Sequence, residues 1–443
     1  MIKEITYKNI WNISYPIILG GIAQTVISIT DTIFMGRVSE VAIGASALAG
    51  IFYVTVFILG FGFSIGTQII IARLEGEKKS KTIGPVFMQS LVFLLILALV
   101  LFLFLKYVSP AILHRFISSE AIYKESIIYI QYRSWGILPG FITLVFRAFF
   151  VGIANTKVVT YITIVSALSN LVLNYIFVFG HYGATAMGIG GTALASSLSE
   201  IIALFFAIAY TFYAVEIKRY NLFSMGKRET KVMKSILPIA IPIMFQIFIS
   251  LCSWFIFFAI IEQTGSRALA ISNLVRNVYM ILMIPLLGFS AATNTLVSNI
   301  IGQNRTREVF SLVKKIILLS FFCTLILVIV NLLKPDLILS VFTNDILLIQ
   351  DTLPLLYIIS GSILCFSIAT IFLSAVSGRG DTKASLIIES VTIAFYLFAT
   401  YIFAVKLHLK LELIWCVEYV YFLIMGSLSY TYLKRRVRKT ISI

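Results

Sequence analysis

Four acidic residues fall deep inside long apolar stretches of the sequence: Asp31, Glu200, Glu389 and Glu418. A charged side chain at the centre of a bilayer costs at least about 2.5–3.5 kcal/mol on insertion scales, so it usually faces a cavity or a partner. Carboxyl groups in such surroundings can bind and release protons or small cations. This chemistry is typical of ion-coupled transport.

Asp31 has the most suitable neighbours for this role. Gln24 and Ser28 precede it by seven and three residues, so the three polar groups share one helical face. Pro16, further upstream, removes a backbone hydrogen bond and permits a bend. We therefore predict that protonation of Asp31, or cation binding to it, changes the shape of its helix, with Pro16 as the hinge.

Two later segments supply polar partners for Asp31. Asn170 and Asn174 lie four residues apart and stack on one helical face, and Thr192 lies near the outer end of the next apolar stretch. A carboxylate, two amide oxygens and a hydroxyl are hard oxygen donors. They suit Na⁺, or a proton on Asp31 within a hydrogen-bond network. The alternative is that Asp31 only bonds to Asn170 for helix packing.

Other polar residues in the apolar stretches receive separate predictions. Glu200 has no obvious partner and is a possible proton relay, whereas Glu389 is expected to bond locally near a cytoplasmic loop. Arg133 and Arg147 are expected to extend towards the two membrane interfaces. Arg276 lies deeper, where it lines a cavity or pairs with an acid. The candidate cavity residues are Gln24, Gln246, Trp254 and Arg276.

The composition indicates an all-α integral membrane protein. Of 443 residues, 60% are hydrophobic and 12% are charged, about half the charged share of globular proteins, and the mean hydropathy is +1.00. A membrane-spanning helix needs about 20 mostly apolar residues. Twelve such spans are predicted, at 12–36, 41–72, 83–106, 127–151, 158–180, 188–215, 235–261, 268–300, 315–333, 353–377, 384–405 and 411–433.

The net charge of +16 predicts orientation rather than a nucleic-acid partner. One set of loops holds 24 of the basic residues and the opposite set holds 8, so both termini are expected in the cytoplasm of a multi-pass protein of the inner cell membrane. No GxxxxGK[ST] motif for ATP, cleavable signal peptide, paired cysteines or histidine cluster is visible in the sequence. We therefore expect no cofactor, and energy from an ion gradient or from the substrate.

An internal repeat organises the chain. With a shift of 226 residues, Gly62-Phe63-Ser64 aligns with Gly288-Phe289-Ser290, and Gly152–Lys157 with Gly378–Lys383. Six spans per half give both copies the same membrane polarity, so alternating access around a site between two halves is expected. The predicted parts are an N-lobe at 1–217, a linker at 218–234, a C-lobe at 235–433 and a basic tail at 434–443.

The repeat also bears on the ion site. The second-half equivalents of Asp31, Asn170, Asn174 and Thr192 are Ser253, Tyr396, Thr400 and Glu418, aligned with a shift of 222 at the start of each half and 226 beyond it. The set of polar residue types is therefore kept in the first half only. This difference predicts a single coupling site in a duplicated scaffold.

These features resemble the multidrug and toxic compound extrusion (MATE) family. The resemblance is based on twelve spans in two parallel repeats, on Pro16 followed by Asp31, on Gly-x-x-Asn155-Thr156 and on Gly378-Arg-Gly-Asp381-Thr382. It implies two lobes around a V-shaped cavity and cation-coupled export of organic, often cationic and amphipathic, compounds. It also implies a cation site at Asp31, Asn170, Asn174 and Thr192.

Two departures qualify the resemblance. Asn174 stands where one bacterial and archaeal branch has a second aspartate, so the N-lobe is similar to the NorM branch. That branch also uses a glutamate in span 7 and an aspartate in span 10, but Gln246 stands at the first position and no acid lies near Phe366. Coupling to H⁺ or Na⁺ is therefore expected to depend on Asp31, and the C-lobe is atypical.

Two other functions compete with antiport. A lipid-linked saccharide flippase of the same superfamily would need several cationic residues in its central cavity, and Arg276 is the one deep candidate. An intramembrane enzyme would need a nucleophile or metal set that the sequence does not contain. The leading hypothesis is thus a monomeric secondary antiporter in a lipid bilayer, not an enzyme, with small organic substrates.

Overall fold

The computed structural model describes residues 4–224, 229–343 and 345–441. Within them, twelve helices are long and apolar enough to cross a membrane: Tyr7–Val38, Glu40–Gly76, Ser80–Phe116, Glu120–Gly152, Lys157–Phe179, Ile189–Ala214, Val232–Glu262, Ser266–Gly302, Thr306–Leu333, Ile346–Gly378, Thr382–Lys406 and Leu411–Arg436. We number them spans 1 to 12. Helices suit this role because they satisfy their own backbone hydrogen bonds in lipid. The prediction of a twelve-helix, all-α membrane protein is confirmed.

Side chains and glycines set the ends of several spans. The Ser39 hydroxyl accepts a hydrogen bond from the Ala42 N–H at 3.0 Å at the start of span 2. Asp345 accepts from the Leu347 and Leu348 N–H groups at the start of span 10. Such caps satisfy the free donors of a helix N-terminus. Gly180 ends span 5 with a φ of +75°, a left-handed conformation that favours glycine.

The chain divides into two compact units. The first unit is Leu19–Met244, and the second unit is Met1–Ile18 together with Phe245–Ile443. This division differs from the predicted boundary in the 218–234 linker, because the chain passes between the units inside spans 1 and 7. Residues 225–228 of that linker, and residues 442–443 of the predicted basic tail, lie outside the described residues.

Repeat-related contacts explain where the division falls. In the first unit, a Cβ on Gly62 would lie 2.7 Å from the Met244 Cα. In the second unit, a Cβ on Gly288 would lie 2.4 Å from the Ile18 Cγ1. Both the glycines and their partners are 226 residues apart. In the first unit, a short piece of span 7 therefore packs closely against Gly62 of span 2. In the second unit, a short piece of span 1 packs in the same way against Gly288 of span 8.

Candidate functional site

Asp31 lies among polar side chains of spans 5 and 6 in the first unit. The Asn174 Nδ2 donates to Asp31 Oδ1 at 2.7 Å and to Asn170 Oδ1 at 3.0 Å. The Ser196 hydroxyl donates to Asp31 Oδ2 at 3.4 Å and accepts from Asn170 Nδ2 at 3.1 Å. Three helices therefore meet at one carboxylate. The predicted association of Asp31 with both asparagines is present in the geometry.

Close packing of spans 5 and 6 holds these partners in place. Asn170 and Asn174 occupy successive turns of span 5, and both are buried. On span 6, a Cβ on Gly191 would lie 2.6 Å from the Phe177 carbonyl oxygen. Only glycine permits this approach, because any larger residue would separate the two helices. The short distance between the helices brings Ser196 within reach of Asp31.

Ser196, rather than the predicted Thr192, is the span 6 partner of Asp31. The Thr192 hydroxyl donates to the Met35 sulfur at 3.6 Å, one helical turn beyond Asp31, so Thr192 is not among the hydrogen-bond partners of Asp31 in the structure. Ser196, four residues after Thr192 and hence on the same face, is the span 6 partner instead. The same four-residue spacing that paired the two asparagines could have identified Ser196.

A part-buried ion pair between spans 4 and 6 corrects two predictions. The Arg133 Nη2 donates to Glu200 Oε1 at 2.6 Å, and the Arg133 guanidinium lies 4.1 Å from the Tyr53 ring centroid. Arg133 thus pairs across helices instead of extending to the interface. Glu200, for which the sequence indicated no obvious partner, pairs with Arg133. Gly136 makes room for the pair, since a Cβ there would clash with both side chains.

The second unit contains two further buried carboxyl groups. Glu389 Oε1 accepts hydrogen bonds from the Ser250 and Tyr421 hydroxyls, each at 2.5 Å. The prediction of local bonding for Glu389 is therefore wrong, because its partners come from spans 7 and 12. Glu418 Oε1 accepts from the Tyr396 hydroxyl at 3.0 Å. Glu418, the repeat equivalent of Thr192, is therefore bonded to Tyr396, the repeat equivalent of Asn170.

The remaining candidates in the second unit have other contacts. The Gln246 Oε1 accepts from the Ser385 hydroxyl at 3.0 Å. The Trp254 ring packs against the rings of Phe258 and Tyr279. The Arg276 guanidinium lies 5.3 Å from the Phe258 ring centroid, and no acidic side chain in the described part of the chain forms a salt bridge with it.

In the first unit, Gln24 is exposed on span 1. The Arg147 Nη2 donates to the Thr163 hydroxyl at 2.8 Å, so Arg147 bonds across helices rather than extending to the interface as predicted. Pro16 lies inside span 1, two residues before that helix passes from the second unit to the first. Its position is consistent with the predicted hinge.

The Asp31 surroundings contain oxygen atoms that could bind a small cation. Besides the carboxylate, these are Asn170 Oδ1, Asn174 Oδ1 and the Ser196 hydroxyl. The Asn174 Oδ1 is buried and has no hydrogen-bond partner among the residues described. Turning this amide over would direct Oδ1 towards Asp31, where it would become a ligand for Na⁺. In the present orientation, the Asn174 N–H group donates to Asp31 and stabilises the ionised carboxylate.

The family model MatE matches residues 16–176 and 242–402. The two matched segments begin 226 residues apart, which confirms the internal repeat and its offset. Together they cover most of the chain, and they include Asp31 and both asparagines.

The chain is also similar to individual proteins. It is 26% identical to the "Probable multidrug resistance protein NorM" of Mannheimia succiniciproducens over 68% of this chain and 65% of that protein. The similarly named protein of Idiomarina loihiensis is 23% identical over 87% of this chain and 84% of its own length.

A solved structure, the outward-facing conformation of a multidrug resistance MATE family transporter, has the same fold. It covers 98% of this chain and 96% of its own, with a TM-score of 0.91 and 18% identity. The expectation of a transporter rather than an enzyme is confirmed at the level of the family. With the family model matched in both halves of the duplicated fold, the chain belongs to the MatE family.

Proposed function

We propose that this protein is a secondary antiporter that exports organic, cationic and amphipathic compounds from the cytoplasm in exchange for protons. The names of the multidrug resistance relatives support the substrate class. The protein works as a monomer in the inner cell membrane, with both termini in the cytoplasm, and it uses no ATP or cofactor. The loop distribution of basic residues supports this orientation.

The Asp31 network is the observation on which the proposal depends. Protonation removes the negative charge that Asn174 and Ser196 stabilise, and it changes which hydrogen bonds Asp31 accepts. Span 1 belongs to both units, with the crossing at Ile18. A change at Asp31 therefore acts on a helix that both units share. Pro16 lies next to this crossing and allows the helix to respond by bending.

Sodium is the alternative coupling ion. It would use Asp31 with the amide oxygens of Asn170 and Asn174 and the Ser196 hydroxyl, after the Asn174 amide has turned over. Protons require no such rearrangement. We therefore rank H⁺ before Na⁺ for this site.

Transport in proteoliposomes under separately imposed pH and Na⁺ gradients tests the proposal. With ethidium as the transported dye, we expect the pH gradient to drive export and the Na⁺ gradient to have little effect. Asp31→Asn should reduce gradient-driven transport to the level of empty liposomes, because the amide cannot exchange a proton. Glu40→Gln, which changes an exposed acid at the start of span 2, is the matched control.

The outcomes separate the alternatives. Transport driven by the Na⁺ gradient but not by the pH gradient would identify Na⁺, rather than H⁺, as the coupling ion at the same site. Undiminished transport by a folded Asp31→Asn variant would refute the role of Asp31 altogether. Normal expression and a single size-exclusion peak show that the variant is folded.

A further inference from the structure

An apolar groove runs between spans 10 and 12 of the second unit. It has a volume of about 270 Å³, and it follows residues 365–372 of span 10 and 422–430 of span 12, a length of about 12 Å at 1.5 Å per residue. Ile368, Phe372 and Phe422 are among the apolar side chains that line it. Leu423, at its edge, is 59% exposed. The described part of the chain therefore leaves the groove open on one side.

The packing of the two helices gives the groove its shape. A Cβ on Gly426 would lie 3.2 Å from the Ala369 Cβ, so the absence of a side chain at Gly426 allows spans 10 and 12 to approach closely. The rings of Phe372 and Tyr430 meet edge to face, with centroids 5.4 Å apart. The groove thus has small residues along its floor and a pair of aromatic rings at one end.

The lining of the groove favours a hydrocarbon chain over water or a polar solute. Ser427 and Tyr430 carry its two hydroxyls, and none of its lining residues is charged. Water-filled cavities inside membrane proteins are where charged and strongly polar side chains are found. An acyl chain that fills an apolar groove gains dispersion contacts with the surrounding side chains. The groove therefore suits one chain of a membrane lipid.

One end of the groove lies beside basic side chains. The Lys434 Nζ lies 5.4 Å from the centroid of the Tyr430 ring, and Phe310 of span 9 packs against the same ring with centroids 6.1 Å apart. Lys314 is exposed and follows Phe310 by one turn on the same helical face. A lysine in such a place extends its ammonium group towards the membrane interface. Two positive charges therefore border the end of the groove.

Nearby acids do not neutralise these two lysines. Glu308 and Asp381, in the adjoining loops, are each paired with an arginine. Neither Lys314 nor Lys434 forms a salt bridge with any acid in the ranges that the structure describes. Tyrosine and lysine are typical of membrane interfaces, and basic pockets between helix ends on the cytoplasmic side bind anionic lipid head groups. An anionic group is therefore the chemical complement of this end of the groove.

We propose that this groove binds an anionic phospholipid, with one acyl chain between spans 10 and 12 and the phosphate beside Lys434 and Lys314. A zwitterionic phospholipid binds more weakly, because its own ammonium group cancels the charge of its phosphate. The proposed orientation of the protein puts the lipid in the cytoplasmic leaflet. The site does not depend on the antiport function, so failure of one proposal leaves the other intact.

Photo-crosslinking in lipid nanodiscs tests the site. The full-length protein is placed in phosphatidylcholine nanodiscs that contain a small share of phosphatidylglycerol with a diazirine on one acyl chain. Labelled peptides are then mapped by mass spectrometry. We expect the labels to concentrate on residues 365–372 and 422–430. The same diazirine chain on phosphatidylcholine should label these residues several-fold less.

Two variants separate the head group from the acyl chain. Lys434→Gln should lower labelling of the groove by phosphatidylglycerol about fivefold, the factor expected for one lysine near an anionic lipid surface. Ser427→Trp fills the groove without changing a charge and should abolish labelling there. Lys406→Gln is the matched control, because the Lys406 Nζ lies 6.0 Å from the centroid of the Tyr401 ring at the end of span 11. It should leave labelling of the groove unchanged.

Several outcomes would overturn the lipid site. Equal labelling by the two head groups, unaffected by Lys434→Gln, would show that charge does not select the ligand. Labels spread evenly over the exposed faces of all the spans would show that no site exists. Loss of the labels on addition of ethidium would assign the groove to the transported compound instead.

Thermal denaturation of the unmodified protein decides the question even if a variant fails to fold. A ligand that binds only the native state stabilises that state. Phosphatidylglycerol added to the protein in detergent should therefore raise the midpoint of denaturation more than phosphatidylcholine does. Equal shifts for the two lipids would refute selective binding.

Discussion

Asp31 in the first unit and Glu418 in the second unit are both carboxyl groups inside helical spans, yet their hydrogen-bond partners differ in type. Asp31 accepts hydrogen bonds from the Asn174 amide and the Ser196 hydroxyl. Glu418 has tyrosine hydroxyls as its partners. The duplicated fold thus contains two carboxyl sites of different character.

The different helices that supply the carboxyl groups explain how the two sites diverged. Span 1 supplies Asp31, but the equivalent position on span 7 is Ser253. The second unit instead obtains its carboxyl from span 12. A duplicated scaffold can therefore keep a polar position while the charged residue moves to a neighbouring helix.

Removing the positive charge of Arg133 should have the largest effect on stability. Arg133→Gln leaves the part-buried Glu200 unpaired. Breaking a fully buried ion pair costs about 3–5 kcal/mol, which is the upper bound for this change. The midpoint of thermal denaturation in detergent should fall accordingly. Arg133→Gln with Glu200→Gln removes both charges and should recover most of the loss. A double variant as unstable as the single one would show that packing of Arg133 on Tyr53, rather than charge, holds this region.

Substitutions at the repeat-related glycines Gly62 and Gly288 test whether the two units are packed equally tightly. A Cβ on Gly62 would meet the Met244 backbone, while a Cβ on Gly288 would first meet the end of the Ile18 side chain. A side chain can shift more easily than a backbone. Both Gly→Ala changes should destabilise by about 1–3 kcal/mol, with Gly62→Ala the more severe. Equal thermal shifts for the two variants would contradict this difference between the units.

Sequence patterns predicted the fold and part of the site. Hydropathy gave the twelve spans, and the 226-residue offset recurs in the family match. Asp31, Asn170 and Asn174 were grouped correctly because helical spacing fixes which residues share a face. Helical spacing does not say which faces of distant helices meet. The Arg133–Glu200 pair and the partners of Glu389 therefore escaped notice.

Glu418 was identified from the sequence as an acid inside an apolar stretch, but its partners were not. Aligning the repeats paired it with Thr192, but the alignment does not show which side chains contact Glu418. The physical role of the position depends on burial and on partners from spans 8 and 11, which a single sequence does not contain.

Thr192→Val should have the smallest effect. It tests whether Thr192 is an ion ligand, as predicted from the sequence, or only a partner of Met35, as in the structure. If Thr192 were a ligand of the coupling ion, its loss would impair gradient-driven ethidium transport as severely as changing Asp31. The hydroxyl instead donates to the Met35 sulfur at 3.6 Å, a weak acceptor, and valine keeps nearly the same shape. We expect a stability loss below about 1 kcal/mol and near-normal transport, whereas Ser196→Ala, which removes a direct partner of Asp31, should slow transport more. Strong inhibition by Thr192→Val alone would return Thr192 to the ion site.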